Sequence, residues 1–101
     1  MRHGFIKTAA GTPKIQVADC VYNAGEILKL IRQMETEGAK IMAFPELCIT
    51  GYTCQDLFWQ TLLLDSAKEQ LVWLAGETSQ VDALIIVGLP WEYNGKLYNV
   101  A

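Results

Sequence analysis

Two runs in this chain, "KIMAF" (Lys40–Phe44) and "DALIIVGLPW" (Asp82–Trp91), are apolar at nearly every position rather than at every second one. A strand with one wet face alternates apolar and polar side chains. A strand that does not alternate is covered on both faces, as in the parallel sheet of an α/β fold. The stretches between them carry the other period. Ile27, Leu30, Ile31 and Met34 fall at i, i+3, i+4 and i+7, one face of a helix that Asn23 opens. Glu26, three residues on, completes a capping-box-like pair with Asn23, and Gly38 is a natural stop. A second helix is predicted over roughly Gln60–Thr78. Its buried stripe is Leu64, Ala67, Leu71, Leu74 and Ala75, with Lys68, Glu69 and Gln70 facing water.

"GFIKTAA" (Gly4–Ala10) reads as a first strand, and Pro13 excludes a regular central strand from the connection after it. "DALIIVGLPW" is the third strand. Asn94-Gly95 marks a hairpin turn, with a fourth strand beginning near Lys96. The resulting β-α-β-α-β-β order is an α/β layered pattern, and 101 residues allow at most one small domain. With right-handed crossovers running one way across the sheet, both helices land on the same face. The other face is then a bare apolar patch, which a soluble monomer rarely tolerates. The expectation is an incomplete domain, the beginning of something larger.

Bulk properties exclude several classes. With 51% hydrophobic and 19% charged residues the chain is globular rather than disordered. Its net charge of −3 and the lack of a Lys/Arg cluster argue against a nucleic-acid partner. No apolar run approaches the roughly 20 residues that cross a bilayer. The start lacks the apolar core of a signal peptide, so no membrane partner and a cytoplasmic location are expected. Cys20, Cys48 and Cys54 form no C-x-x-C pair, and an odd count at irregular spacing argues for reduced thiols rather than a disulfide framework. His3 is the single histidine, too little for a zinc site, and no metal is expected.

The chemistry concentrates after the second strand, in "FPELCITGY" (Phe44–Tyr52). Phe44, preceding a proline, is held extended, so the strand delivers Glu46 at its carboxyl end, where working groups of open α/β sheets collect. Ile41, Met42, Phe44, Leu47 and Ile49 offer a carboxylate little solvation, which would make Glu46 a usable base. Such an acid could deprotonate a thiol and return the proton to a leaving amine. The competing reading is a Glu46 that caps a short turn by accepting backbone N–H bonds. Tyr52 could line a substrate pocket or merely pack the loop with its hydroxyl satisfied. Lys40 precedes its strand, at the opposite end from Glu46, and Lys96 lies beside the hairpin turn as a solvated charge. The scattered Trp59, Trp73 and Trp91 read as core and interface packing.

"FPELCITGY" resembles the signature of the nitrilase, or carbon–nitrogen hydrolase, superfamily. "TCQDLF" (Thr53–Phe58), "TPKIQVADCVYN" (Thr12–Asn23) and "GKLYNVA" (Gly95–Ala101) are similar to one branch of it, the glutaminase domains of glutamine-dependent NAD synthetases. The resemblance implies an α-β-β-α sandwich, of which this chain is the N-terminal portion, with a second sheet encoded later covering the bare face. It also implies a Glu-Lys-Cys triad in which Glu46 is the general base. The lysine and the cysteine lie beyond these residues, so the chain alone is expected to be inactive. The implied substrate is L-glutamine, whose ammonia a synthetase domain uses with ATP and magnesium to amidate deamido-NAD. No cofactor is expected in this chain itself, and homo-oligomers are common in the superfamily. In the matched motif Cys48 and Cys54 are not the nucleophile, and nothing supplies either with a positive neighbour. The alternatives are a stand-alone amidase, carbamoylase or nitrilase, and a catalytically inactive binding module. A flavodoxin-like or thioredoxin-like domain is disfavoured, since neither C-x-x-C nor a phosphate-binding glycine loop is present.

Overall fold

The structure is a computed structural model, and it describes residues 6–16, 19–50, 61–93 and 96–101. Three short parallel strands, β1 (Thr8–Ala10), β2 (Ile41–Ala43) and β3 (Leu84–Ile86), form a sheet in that order. Helices α1 (Cys20–Thr36) and α2 (Thr61–Glu77) are the crossovers, and β4 (Leu89–Tyr93) and β5 (Lys96–Val100) form an antiparallel pair.

The register sorts the strand side chains by face. Ala9, Met42 and Ile85 lie side by side across the sheet and pack against the core that the helices build. From α1 that core takes Ile27, Ile31 and Met34, and from α2 it takes Leu63, Ala67 and Leu74. Fully burying a side chain the size of Ile27 or Ile31 contributes roughly 1.5–3 kcal/mol. The neighbouring rows, Thr8–Ile41–Leu84 and Ala10–Ala43–Ile86, occupy the opposite face. There Leu84 is 61% exposed and Ile86 37% exposed. The expectation that both helices share one face, leaving the other bare, is met. A groove of about 450 Å³ continues this apolar surface past the edge of β3, lined by Leu84, Ile86, Leu89, Trp91 and Val100 among others.

Helix α1 begins four residues before the expected start. Asp19, not Asn23, is its N-cap, accepting a bond from the Tyr22 N–H at 3.0 Å. Asn23 is inside the helix and uses its side chain elsewhere. The helix stops at Gly38 as expected, and the geometry explains the glycine. Gly38 has φ of +82°, its N–H reaches Glu35 O, and the Ala39 N–H reaches back to Met34 O at 3.0 Å. This is a Schellman closure, with buried Ala39 following the turn and buried Met34 facing it.

Helix α2 keeps its expected extent, but its stripe is shifted. Leu63 is buried and Ala75 is exposed, which moves the contact face toward the N-terminal turns. Lys68, expected in water, is half-buried with its Nζ 4.8 Å from the centre of the Trp91 ring. The expected third strand is two strands. β3 ends at Ile86 and β4 starts at Leu89, with Val87-Gly88 redirecting the chain out of the parallel sheet. The hairpin residues Asn94 and Gly95 lie outside the described residues, but the strands beside them pair with Tyr93 opposite Lys96. Among the described residues no helix is long and apolar enough to cross a membrane.

Candidate active site

β2 does not stop abruptly. The Phe44 N–H continues its ladder to Ile86 O at 3.0 Å, so the chain leaves the sheet extended and Pro45 then breaks the pairing. The turn over residues 45–50 closes on itself through Cys48 N–H to Pro45 O at 3.2 Å. Leu47, next to Glu46, has φ of +52°, a left-handed conformation that costs a branched residue free energy and needs outside support.

That support comes from two directions. On one side Val87-Gly88 runs against the turn. Ile49 N–H donates to Gly88 O at 3.2 Å, and Gly88 N–H approaches Cys48 Sγ at 3.4 Å. The contact is too close for any other residue at 88, since a Cβ there would stand 2.5 Å from the Leu47 nitrogen. This close approach is also what divides the expected third strand. On the other side stands Asn23, fully buried, whose Nδ2 donates to Ile49 O at 2.8 Å.

Glu46 stands at the carboxyl end of β2, as read from the sequence, but its expected poor solvation is not met. It is exposed. Its apolar neighbours Met42, Phe44 and Ile49 turn their side chains into the core and so do not surround the carboxylate. The bond that Glu46 Oε1 accepts among the described residues comes from the Asn99 side-chain amide on β5. Among the described residues its partner is therefore a side chain and not a backbone N–H. Asn99 thus links the hairpin to the turn after β2.

Cys48 is fully buried, and burial pushes its thiol above the ordinary range, against a smaller opposing effect of its hydrogen bond with Gly88. That is the environment of a packing residue, as read from the sequence. Cys20 is also buried. Cys54, Tyr52 and Trp59 lie outside the described residues. Lys40 is at the far end of β2, where its Nζ meets Asp82 at 3.1 Å, and Lys96 is exposed at the start of β5. Among the described residues no group of three or more His, Cys, Asp or Glu gathers as a metal centre requires.

Three residues of this site are missed by sequence reasoning. Asn23 reads as a cap, and its capping chemistry hides its use as a bridge. Asn99 lies inside a matched motif but carries no local signal of its own. Gly88 did carry one, because an isolated glycine within a strand pattern marks a bulge or a close backbone approach.

The model of the carbon-nitrogen hydrolase family matches residues 7–101. This chain belongs to the carbon–nitrogen hydrolase family. Among curated relatives of this carbon–nitrogen hydrolase chain is a glutamine-dependent NAD(+) synthetase from Mycobacterium tuberculosis, 33% identical over 100 residues. That alignment takes in 99% of this chain and 15% of the relative. One from Aquifex aeolicus is 36% identical over 83 residues, covering 82% of this chain and 14% of its own length. A crystal structure of a glutamine-dependent NAD(+) synthetase from Cytophaga hutchinsonii superposes with a TM-score of 0.85 at 32% identity. It covers 93% of this chain and 16% of that one. A second, from Acinetobacter baumannii, shares the fold with a TM-score of 0.69 at 22% identity, over 85% of this chain and 16% of that one. This carbon–nitrogen hydrolase chain thus spans about 15% of the length of the first curated relatives it matches.

Proposed function

We propose that the chain is the N-terminal part of the glutaminase domain of a glutamine-dependent NAD synthetase, and that Glu46 is its general base. One observation carries the reading. An acid stands at the carboxyl end of a parallel strand, on a turn held from two sides, in a chain matched at a TM-score of 0.85 by a glutamine-dependent NAD(+) synthetase.

The chemistry follows from the acid's task. Glu46 takes the proton of a cysteine thiol, and the thiolate attacks the side-chain amide carbon of L-glutamine. The tetrahedral oxyanion is stabilised by a lysine. As the C–N bond breaks, Glu46 returns the proton to nitrogen, ammonia leaves and a thioester remains, which water then cleaves to glutamate. A synthetase domain consumes the ammonia in amidating deamido-NAD, with ATP and magnesium, and releases AMP and pyrophosphate. The lysine, the cysteine and the synthetase domain belong on this reading to parts of the protein other than these 101 residues, so the chain by itself is inactive. The bare sheet face and the exposed Glu46 are then surfaces that the rest of the domain covers. A cytoplasmic homo-oligomer is the corresponding form of the whole enzyme.

The test is isotopic. Full-length protein supplied with deamido-NAD, ATP, magnesium and glutamine labelled with nitrogen-15 in its amide is expected to place the label in the NAD carboxamide. Cleavage of other amides with no labelled NAD would replace this reading with that of a stand-alone amidase.

A further inference from the structure

We infer that Asn23 is a positioning residue, which sets where the Glu46 turn stands at the end of the sheet by tying Ile49 to helix α1. What Glu46 does rests on the glutaminase reading above. What Asn23 does rests on its own contacts.

Asn23 is fully buried at the first turn of α1, and its amide is used at both ends. Oδ1 accepts from the Gln16 N–H at 2.7 Å, while Nδ2 donates to Gln16 O at 2.8 Å and to Ile49 O at 2.8 Å. These partners decide the orientation of the amide, because exchanging O and N would aim the oxygen at two carbonyls. One planar group therefore joins the connection before α1, the helix itself and the turn after β2. Buried polar groups are ordinarily satisfied, and here one amide makes three bonds to two segments outside its own helix.

The bond to Ile49 matters because of where it falls. The N–H of Ile49 is held by Gly88 O and its C=O by Asn23, so the chain is clasped on both sides three residues after Glu46. Between the clasp and the acid lies Leu47 in its left-handed conformation. Such a conformation persists only where the surroundings hold it, and Asn23 is the part of those surroundings supplied by the helix layer. Ile27, one turn later and equally buried, packs the core with an apolar side chain that can make no such directional bond. The two residues separate positioning from stability.

The test uses the full-length enzyme with Asn23→Ala, and Ile27→Ala as the stability control. Under conditions where each variant is folded, Asn23→Ala is expected to lower the kcat of glutamine-dependent synthesis by on the order of 10–100-fold, the scale of a misplaced catalytic group. The KM for glutamine and ammonia-dependent synthesis stay near wild type, and Ile27→Ala keeps its kcat. Should Asn23→Ala fail to fold, Asn23→Ser keeps a polar group too short to reach Ile49 and is expected to show the same selective loss. A wild-type kcat in the folded Asn23 variant overturns the inference. So does an equal loss in Ile27→Ala, which would mean a merely structural role. Glu46→Gln, run in parallel, separates the two readings. If it leaves glutamine use intact the general-base role of Glu46 has failed, whereas if it abolishes glutamine use and the Asn23 variants do not lower it, only the positioning role has failed.

Discussion

Gly88 lies so close to Leu47 that a Cβ on it would stand 2.5 Å from the Leu47 nitrogen and 3.1 Å from the carbonyl carbon of Glu46. The atoms it would meet are backbone, which cannot swing aside as the tip of a side chain can. Gly88→Ala is therefore expected to push the turn off its seat and to destabilise the protein by about 1–3 kcal/mol, the usual cost of overpacking. A denaturant titration reads the stability. Glutamine-dependent synthesis by the full-length enzyme should fall further than ammonia-dependent synthesis, because the displaced atoms are those of Glu46 and its neighbour.

Asn99 gives a separable effect, since it touches the carboxylate itself rather than the turn. Asn99→Ala removes the donor to Glu46 and leaves the backbone of β5 in place. The expected outcome is roughly a tenfold lower glutamine-dependent kcat, corresponding to a charge-assisted hydrogen bond of about 1.5 kcal/mol. Asn99→Asp is expected to be worse than Asn99→Ala, because it sets a second carboxylate against the first. Steady-state kinetics on the two variants checks the order.

Cys48 is expected to be inert. Its thiol is buried and pushed up by desolvation, so the thiolate that alkylating reagents need is scarce in the folded state. Iodoacetamide at neutral pH should modify Cys48 only after unfolding, which peptide mapping with and without denaturant resolves. The linkage has a definite sign. A thiol whose folded value is raised holds its proton longer folded than unfolded, so its contribution is constant below the unfolded value of roughly 8.5. It is lost as pH rises from there through the folded value. Cys48→Ala should flatten that part of the alkaline stability profile.

Much of this fold is legible in the chain because its elements follow single physical rules. Unbroken apolar runs mark β2 and β3, the 3.6-residue period marks α1, and a glycine able to take positive φ ends that helix at Gly38. The shared helix face, and the bare Leu84 and Ile86 opposite, follow from right-handed crossovers running one way across the sheet. What escapes is set by tertiary partners. Asn23 and Asp19 both qualify as caps, and the positions of Gln16 and Ile49 decide that Asn23 is used elsewhere. The run from Asp82 to Trp91 has no internal polar residue to show that it bends, although Gly88 interrupts it. Glu46 stands at the end of β2 as the sequence predicts. Its surroundings differ from the expectation, because neighbours along a sequence are not neighbours around a side chain, and Met42, Phe44 and Ile49 point into the core.

Glu46 is proposed to shuttle the proton between thiol and leaving ammonia, and Glu46→Gln in the full-length enzyme isolates that step. The substitution preserves shape and removes only the base. Glutamine-dependent NAD synthesis should drop by roughly 10²–10⁴-fold, the usual contribution of general acid–base catalysis, while synthesis from added ammonia stays close to wild type. Undiminished use of glutamine by the folded variant would mean that Glu46 is not the base.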